Sequence, residues 1–384
     1  MSYRIRHFDS YAELPESYEN LLAVAVSQGF FSQQEWFEFL IRHFYVGNQT
    51  LRLYSVEDIV TGKPLLLSPM RWNPSDPAVP RALALATLGH SENYAAACFL
   101  VDPAAETKRQ ELLTTLFKWL RDSDEDHSPG RVEVMRLAPL ANRSPLGLDV
   151  LTALQNAGYL VQIYANSYNQ YEECAGLDYQ AYLAGRSSNQ RYNSRRRRRN
   201  LEKKGELTFS ILTNDSNPGA LRSAIDEYIM VSIHCWKSRE STIDRFILDW
   251  MQLAAAQGCL RLGVLKLGDK AIAAQFWLLS GGVASMIRVN FDESFRDLAP
   301  GVVLSNLMIE HLLDVDRAES LDFGYGGEEY KGRWVGESRG YSGIMAFNPS
   351  TVRGFYYGIK HIFGQYIKRR IDRGRVTLQS RGAV

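Results

Sequence analysis

The chain has 384 residues, of which 45% are hydrophobic and 23% are charged, and its formal net charge is +1. This length favours two domains that each bury their own core, and the proportions are ordinary for globular proteins. A nearly neutral chain has no overall attraction to nucleic acid or to a membrane, so any such contact must come from a local patch. The four cysteines form no CxxC pair, which argues against a disulfide framework and predicts no metal site.

The sequence also carries no signal of export or of membrane insertion. Its first residues lack the continuous apolar core of a signal peptide. No run reaches the roughly 18 apolar residues that a transmembrane helix requires. We therefore expect a cytoplasmic protein.

The first half of the chain alternates between helical periodicity and short apolar runs that Pro, Asn, Asp and Gly separate. Helices are predicted at residues 16–26, 32–44, 108–121 and 148–157. Strands are predicted at residues 51–55, 64–72, 82–88, 131–137 and 159–165. The order is helices, then a strand meander, then alternation of helix and strand.

The second half loosely repeats this order. Helices are predicted at residues 179–204, 217–236, 242–257, 302–314 and 352–371, and strands at 207–212, 260–266, 271–279, 284–291 and 320–324. This pattern predicts an α+β layered fold in which mixed central sheets are flanked by helices. The predicted domains cover residues 1–170 and 171–350, and residues 351–384 form a basic, aromatic helix and tail.

A candidate anion site lies at the junction between the strand at 284–291 and the following helix. Pro300 suits a first helical turn, and Gly301 allows a ligand to approach the backbone. Free N–H groups and the positive end of the helix suit a pyrophosphate, and Arg296 adds a charge beside it. We predict that Arg296, Pro300, Gly301, Val302 and Val303 bind the donor. The alternative is an ordinary strand–loop–helix connection.

Polar side chains interrupt two of the predicted strands. Arg288 and Asn290 share one face of their strand, and Gln275 and Trp277 share one face of the strand before it. A charged residue within an apolar strand is costly unless it is paired or lines a cleft. These four residues are predicted to bind substrate, with a structural ion pair as the alternative for Arg288.

The segment from Leu321 to Trp334 combines glycines with side chains that can move protons. Asp322 or Glu328 could accept a proton from an attacking ammonium, directly or through water. Tyr330 or Lys331 could donate a hydrogen bond to a developing oxyanion. We predict that these four residues are catalytic and that Trp334 binds substrate. A glycine-rich connector with solvated charges is the alternative.

Two basic segments remain. Arg195–Arg199 cover every side of a helical turn, which suits contact with RNA, a nucleotide-bearing donor or an acidic glycan, or simply a solvated helix. The tail from Val352 onwards is basic and aromatic, and it could dock on the rest of the protein or lie on an anionic inner-membrane surface.

Taken together, the second half resembles the CelD-like, or BioF2-like, acetyltransferase family of the GNAT superfamily. The resemblance runs from about Tyr179 to Phe347. Its landmarks are Arg195–Leu201 with Gly205, Trp236-Lys237, Gly258–Gly263, Ala273–Trp277, Phe291-Asp292, Pro300-Gly301, Leu304, Asp322–Gly324 and Tyr330-Lys331 with Trp334. The first half is similar to the paired N-terminal domain of this family and of FemAB-like transferases, with Glu92-Asn93-Tyr94 as its landmark.

The resemblance implies two tandem GNAT-like domains and transfer of an acyl group to an amine or hydroxyl. It implies a cell-envelope or exopolysaccharide precursor as the acceptor, and it adds Trp236 and Lys237 to the predicted substrate site. The Arg296–Gly301 loop keeps the Arg, a Gly and the helix start of the usual Q/R-x-x-G-x-G/A pattern, but not its spacing.

Several assignments therefore stay open. The co-substrate could be acyl-CoA or acyl carrier protein, with no tightly bound cofactor. A FemAB-like transferase would instead use aminoacyl-tRNA and contact RNA through Arg195–Arg199. A non-catalytic interaction module on a GNAT scaffold is the third alternative.

Overall fold

The structure is a computed structural model that describes residues 2–44, 49–73, 79, 84–87, 98–123, 131–214, 217–235, 245–326 and 330–364. The chain divides into two compact units. The first comprises Met1–Ser167 and Gly340–Val384, and the second comprises Tyr168–Arg339. Residues 340–350, predicted in the second domain, thus belong to the first unit together with the predicted tail. The reason is strand pairing between distant segments, which periodicity does not reveal.

The first unit contains most of the N-terminal half. Its strands are β1 (Tyr3–Phe8), β2 (Thr50–Asp58), β3 (Pro64–Trp72), β4 (Ala84–Thr87), β5 (Leu100–Val101) and β6 (Val134–Ala141). Its helices are α1 (Glu19–Gln28), α2 (Gln34–Phe44), α3 (Arg109–Asp122) and α4 (Pro145–Asn156), and residues 352–364 form a further helix. β7 (Leu160–Glu173) continues from this unit into the second.

The second unit contains the region with the predicted site. Its helices are α5 (Tyr179–Ala184), α6 (Ser188–Glu202), α7 (Pro218–Ile233), α8 (Arg245–Ala256) and α9 (Pro300–Asp314). Its strands are β8 (Leu207–Leu212), β9 (Leu260–Leu267), β10 (Lys270–Ser280), β11 (Val283–Phe291) and β12 (Ser320–Tyr325). The last strand, β13 (Glu337–Phe347), returns the chain to the first unit.

The two units repeat one pattern of strand pairing. In the first unit the order is β1-β2-β3-β4-β6-β13, and in the second it is β8-β9-β10-β11-β12-β7. Only the β4–β6 pair and the β11–β12 pair are parallel, and the other pairs recorded along these two orders are antiparallel. β5 adds to β3. The mixed sheets flanked by helices confirm the predicted fold class.

Helices cover both faces of the second sheet. Gln275 and Trp277 of β10 face α9, because Gln275 bonds to it and Trp277 packs in the same core as Leu304. Phe276, between them, packs edge-on against Trp250 of α8, with ring centroids 5.5 Å apart. Since neighbouring residues of a strand point to opposite faces, α8 and α9 cover opposite sides of the sheet.

The predicted helix at 179–204 is two helices in the structure. α5 ends at Ala184, and Gly185 follows it as the C-cap. The Ser187 side chain then accepts a hydrogen bond from the Gln190 backbone N–H at 3.2 Å, which begins α6. The sequence therefore contains a helix C-cap at Gly185 and a helix N-cap at Ser187 within the single helix that was predicted. The strands β1, β5 and β13 were not predicted.

The cysteines provide a test of this packing. All four are buried and unpaired, and burial raises the pKa of the Cys98 and Cys174 thiols to about 12. Because the thiolate is the reactive form, we expect iodoacetamide to label both thiols at pH 8 more than about a hundredfold more slowly than in guanidinium chloride. Peptide mass spectrometry measures each site separately. Fast labelling of either thiol in the native protein would contradict its burial.

Candidate functional site

The loop before α9 is held in place by a buried carboxylate. Asp292 directly follows β11, and its Oδ1 accepts hydrogen bonds from the Ser294 N–H at 2.9 Å and the Ser294 hydroxyl at 2.6 Å. Its Oδ2 lies 2.8 Å from Lys270 Nζ. Burial alone would raise the pKa of Asp292, but the bonds from Lys270 and Ser294 outweigh it and lower that pKa. The loop therefore starts from a fixed, charged anchor.

A short 3-10 helix, Glu293–Leu298, leads from this anchor to α9. Ala299 joins the two helices with φ 51° and ψ 53°. This left-handed conformation is uncommon for a residue with a side chain and costs roughly 1–2 kcal/mol. Its carbonyl accepts hydrogen bonds from the N–H groups of Val302 at 3.0 Å and Val303 at 3.3 Å. These two predicted donor-binding amides thus already close the first turn of α9.

The other predicted donor-binding residues differ in exposure. The Arg296 side chain is 73% exposed and lies 3.6 Å from Glu293, so it can reach a ligand at the helix start. Pro300 is buried. A side chain at Gly301 would lie 3.4 Å from the Phe291 ring, which is ordinary contact, so the glycine is not required for packing.

Gln275 and Trp277 are positioning residues in this structure rather than ligand contacts. Both side chains are fully buried. Gln275 Nε2 donates to the Gly301 carbonyl at 3.0 Å and to the Ser305 hydroxyl at 2.8 Å, and its Oε1 accepts the Trp277 indole N–H at 2.9 Å. Their predicted role as substrate contacts is corrected, because burial leaves no surface for a substrate. They fix the first turn of α9 on the sheet.

A β-bulge in β11 places Arg288 and Asn290 on the opposite face. Phe276 pairs with Arg288 and Trp277 pairs with Met286, so Ile287 is an extra residue in β11. The inserted residue reverses which side chains face α9. Asn290 Nδ2 bonds to Ser232 of α7 at 2.6 Å, and Arg288 is exposed on that side. Neither side chain faces α9, and the role of Arg288 and Asn290 in substrate binding stays a prediction.

The strands β11 and β12 part beside the start of α9. Their parallel pairing covers three residue pairs, from Val283 with Ser320 to Ser285 with Asp322. In the described part of both strands, no pair is recorded beyond Asp322. The bulge at Ile287 follows directly in β11. Backbone groups of the parted strands can therefore bind a ligand instead of each other.

Asp322 stands where the two strands part, and its carboxylate is fully engaged. Oδ2 accepts hydrogen bonds from Asn169 Nδ2 at 2.6 Å and Arg339 Nη2 at 2.9 Å, and Oδ1 accepts the Gly324 N–H at 2.7 Å. Arg339 also bonds to Asn169 Oδ1 at 3.0 Å and stacks over the Tyr171 ring. Sequence reasoning missed Asn169 and Arg339, because only strand pairing brings β7 and the start of β13 to β12.

The remaining predicted catalytic residues follow β12. Gly324 has φ 71°, which lets the strand turn at this point. Lys331 is buried and its Nζ donates to the Tyr325 carbonyl at 2.7 Å. Tyr330 is 40% exposed. Trp334 is buried and stacks on Phe323, so its indole belongs to the core. The prediction that Trp334 contacts substrate is corrected accordingly.

Three predicted site residues lie outside the described residues, namely Trp236, Lys237 and Glu328, as does the landmark Glu92-Asn93-Tyr94. The arginine run lies in α6, where Arg195, Arg196, Arg198 and Arg199 are exposed. Arg198 pairs with Glu202 at 3.0 Å. In the helix at 352–364, Phe355, Tyr356 and Phe363 are at least half exposed, and contact of this helix with a membrane stays a prediction.

Two kinds of site are absent from the described ranges. No helix there is long and apolar enough to cross a bilayer. No group of three or more His, Cys, Asp or Glu side chains there is arranged to hold a metal ion.

Comparison with known proteins defines the class. Residues 188–332 match the family of acetyltransferase (GNAT) domains. The chain is similar in structure to FemX, with a TM-score of 0.56 and 12% identity over 91% of this chain and 100% of FemX. It is also similar to the C-terminal domain of a candidate lysylphosphatidylglycerol synthetase from Agrobacterium fabrum, with a TM-score of 0.50 and 12% identity over 88% of this chain and 93% of that domain.

A conserved protein of unknown function from Bacteroides thetaiotaomicron has a TM-score of 0.50 and 10% identity over 90% of this chain and 100% of its own. Comparison with curated protein sequences gives no match. The chain therefore has a GNAT-type fold, and the part of its second unit that matches the GNAT acetyltransferase domains is residues 188–332. The narrower assignment to the CelD-like family stays a prediction.

Proposed function

We propose that this protein transfers an acyl group from an acyl thioester to an amine or hydroxyl of a cell-envelope or exopolysaccharide precursor. The observation that carries the proposal is the parting of β11 and β12 beside the start of α9. An elongated donor with amide groups can bond to the exposed strand edge as an added strand would. Its thioester then reaches Asp322, where the pairing of the two strands ends.

The residues before α9 fit the phosphate end of such a donor, whether acyl-CoA or the phosphopantetheine of an acyl carrier protein. Arg296 is exposed and stands one short helix before α9, whose N-terminus favours negative charge. The hydrogen bond between Asp292 and Ser294 fixes the loop, and the bond from Gln275 to the Gly301 carbonyl fixes the first turn of α9. The donor phosphate would thus be bound by one exposed charge, that of Arg296, on a loop whose two ends are fixed by hydrogen bonds.

The chemistry is a direct attack of the acceptor on the thioester carbonyl. The new C–N or C–O bond forms as the C–S bond breaks, and the acceptor loses a proton while the thiolate gains one. Tyr330 is the most exposed of the described residues predicted to be catalytic, so we assign it to protonate the leaving thiolate. Lys331 supports the turn through its bond to Tyr325. Glu328 keeps its predicted role as base, directly or through water.

The donor class can be tested directly. Native mass spectrometry of the purified protein against acyl-CoA and acyl carrier donors should show a one-to-one complex with at least one class. Arg296→Gln should weaken that complex about tenfold, because a charge-assisted bond to phosphate is lost. Arg245→Gln is the matched control, since Arg245 is also largely exposed but lies on α8. The absence of any complex with either donor class would overturn the proposal.

Substitutions of Asp322 test whether this residue is the catalytic base or a positioning residue. Because both of its oxygens already accept hydrogen bonds, we expect Asp322→Asn to lower kcat less than about tenfold and to leave the pH dependence of kcat/KM unchanged. Asp322→Ala, which removes all these bonds, should lower kcat further. A loss of about a hundredfold or more in Asp322→Asn, together with loss of the acidic limb of the pH profile, would instead identify Asp322 as the base.

A second candidate function is transfer from aminoacyl-tRNA. The exposure of Arg195, Arg196, Arg198 and Arg199 along α6 favours it, because exposed guanidinium groups on one helix can contact a phosphodiester backbone. Replacing the four arginines by glutamine should then flatten the salt dependence of tRNA binding. No binding of tRNA at low salt would exclude this candidate.

A further inference from the structure

A polar pocket of about 540 Å³ opens in the second unit beside the segment that carries Tyr330 and Lys331. Its walls are the connection between α5 and α6, one stripe of α6, and the turn after Lys331. The lining residues are Gly185, Arg186, Ser187, Asn189, Gln190, Asn193, Arg197, Gly332 and Arg333. This volume lies within the range of roughly 300–1,000 Å³ that is typical of small-molecule sites.

Three of the lining residues are arginines, and none of the described lining residues is acidic. The positive charge of Arg186 is balanced by Glu172, which does not line the pocket, and Arg186 also donates to the Trp334 carbonyl at 2.9 Å. The guanidinium groups of Arg197 and Arg333 have no hydrogen-bonded or ion-paired partner among the described residues. Two positive charges therefore face one pocket, and no negative charge of the described residues pairs with either of them.

The surroundings of Arg197 make this imbalance unfavourable in the empty pocket. Burial lowers the pKa of Arg197, and the positive charges of Arg333 and Arg196 lower it further. The charged guanidinium is thus less stable here than in water, and an anion between Arg197 and Arg333 would relieve both effects. Asn189, Gln190 and Asn193 supply amide groups along the same stripe of α6, which suit a ligand with several oxygen atoms.

We propose that this pocket binds the phosphate or diphosphate group of the acceptor, so that the acceptor is a phosphorylated molecule. This assignment rests on the proposed function. The pocket lies beside Tyr330 and Lys331 through Gly332 and Arg333, and none of the donor-loop residues 296–303 lines it.

Isothermal titration calorimetry with inorganic pyrophosphate at low salt tests the proposal without catalysis. Wild-type protein should bind pyrophosphate, and Arg197→Gln and Arg333→Gln should each weaken binding roughly tenfold or more. Arg333 is exposed, so its replacement keeps the test valid if Arg197→Gln fails to fold. Arg198→Gln is the matched control, because Arg198 lies on the same helix but is exposed and paired with Glu202, and it should change the affinity less than about twofold.

Separate titrations distinguish this proposal from the proposed function. Acyl-CoA binding should be unchanged by Arg333→Gln and weakened by Arg296→Gln. If wild-type protein binds no pyrophosphate, or if Arg333→Gln behaves like Arg198→Gln, the pocket assignment is overturned while acyl transfer still stands. If Arg333→Gln weakens acyl-CoA and pyrophosphate equally, the pocket holds the donor and the assignment to the acceptor is overturned.

A second arm identifies the source of the phosphate. Co-sedimentation with phosphatidylcholine vesicles that contain phosphatidylglycerol should detect recognition of a lipid headgroup. Binding that Arg333→Gln abolishes supports a lipid-linked acceptor, and pyrophosphate binding without vesicle binding supports a soluble one. Binding of RNA that depends equally on Arg197 and Arg198 would overturn the pocket and favour a general basic surface.

Discussion

Replacing Gln275 by alanine is expected to destabilise the protein and to weaken donor binding together. The substitution leaves the buried Trp277 indole N–H without its acceptor and opens a cavity beneath the Gly301 carbonyl. An orphaned buried donor and the cavity together cost about 2–5 kcal/mol. Because Gln275 is the polar link between β10 and the first turn of α9, the donor loop should also lose its fixed position.

Thermal unfolding measures the first effect, and we expect Tm to fall by at least about 4 °C for a protein of this size. Gln275→Leu should lose stability as well, since it fills the space but cannot bond to Trp277 or Ser305. Gln252→Ala, at an exposed site on α8, is the control and should change stability by less than about 0.5 kcal/mol. Equal behaviour of Gln275→Ala and Gln252→Ala would show that the hydrogen bonds to α9 are unimportant.

Tyr330→Phe is expected to lower kcat strongly and to change the stability of the fold little. The substitution removes one hydroxyl from a side chain that is 40% exposed, so stability should change little. Loss of the proton donor to the leaving thiolate should lower kcat by roughly 10²–10⁴. Donor affinity should stay within about twofold, because the hydroxyl acts on charge that develops only in the transition state.

Steady-state kinetics with a free-thiol assay measures this change. The alkaline limb of the pH profile should disappear in Tyr330→Phe if the tyrosine is the acid. Tyr192→Phe is the matched control, since Tyr192 is 64% exposed on α6, and it should retain wild-type kcat. A Tyr330→Phe variant with unchanged kcat and an intact alkaline limb would remove Tyr330 from the mechanism.

The common strand pattern of the two units gives the duplication a structural basis. Each unit has one parallel pair, β4 with β6 and β11 with β12, followed outwards by antiparallel strands. In each, the parallel pair is joined through a helix, α3 or α9. Sequence order alone had suggested this repeat.

The sequence by itself determined the elements around the donor loop and the class of fold. Apolar runs of strand length and Pro300 at a helix start depend only on local physics, and they placed β9 to β11 and the first turn of α9 close to their observed limits. Tertiary structure alone decided which polar residues are buried and which line a pocket. One inserted residue at Ile287 reverses the faces of β11, and the alternating pattern of the strand does not reveal it.

The same limit applies to the partners of the predicted catalytic segment. Asp322 could be recognised from its place just before the glycine-rich turn, but its bonds to Asn169 and Arg339 join residues that are 153 and 17 positions away in the chain. Likewise, the five arginines form one uniform run in the sequence. In the structure, Arg197 lines the pocket beside the end of α5 at Gly185, whereas its neighbours in the run are exposed to solvent. Local sequence sets the residues that are available, and long-range packing selects the ones that meet.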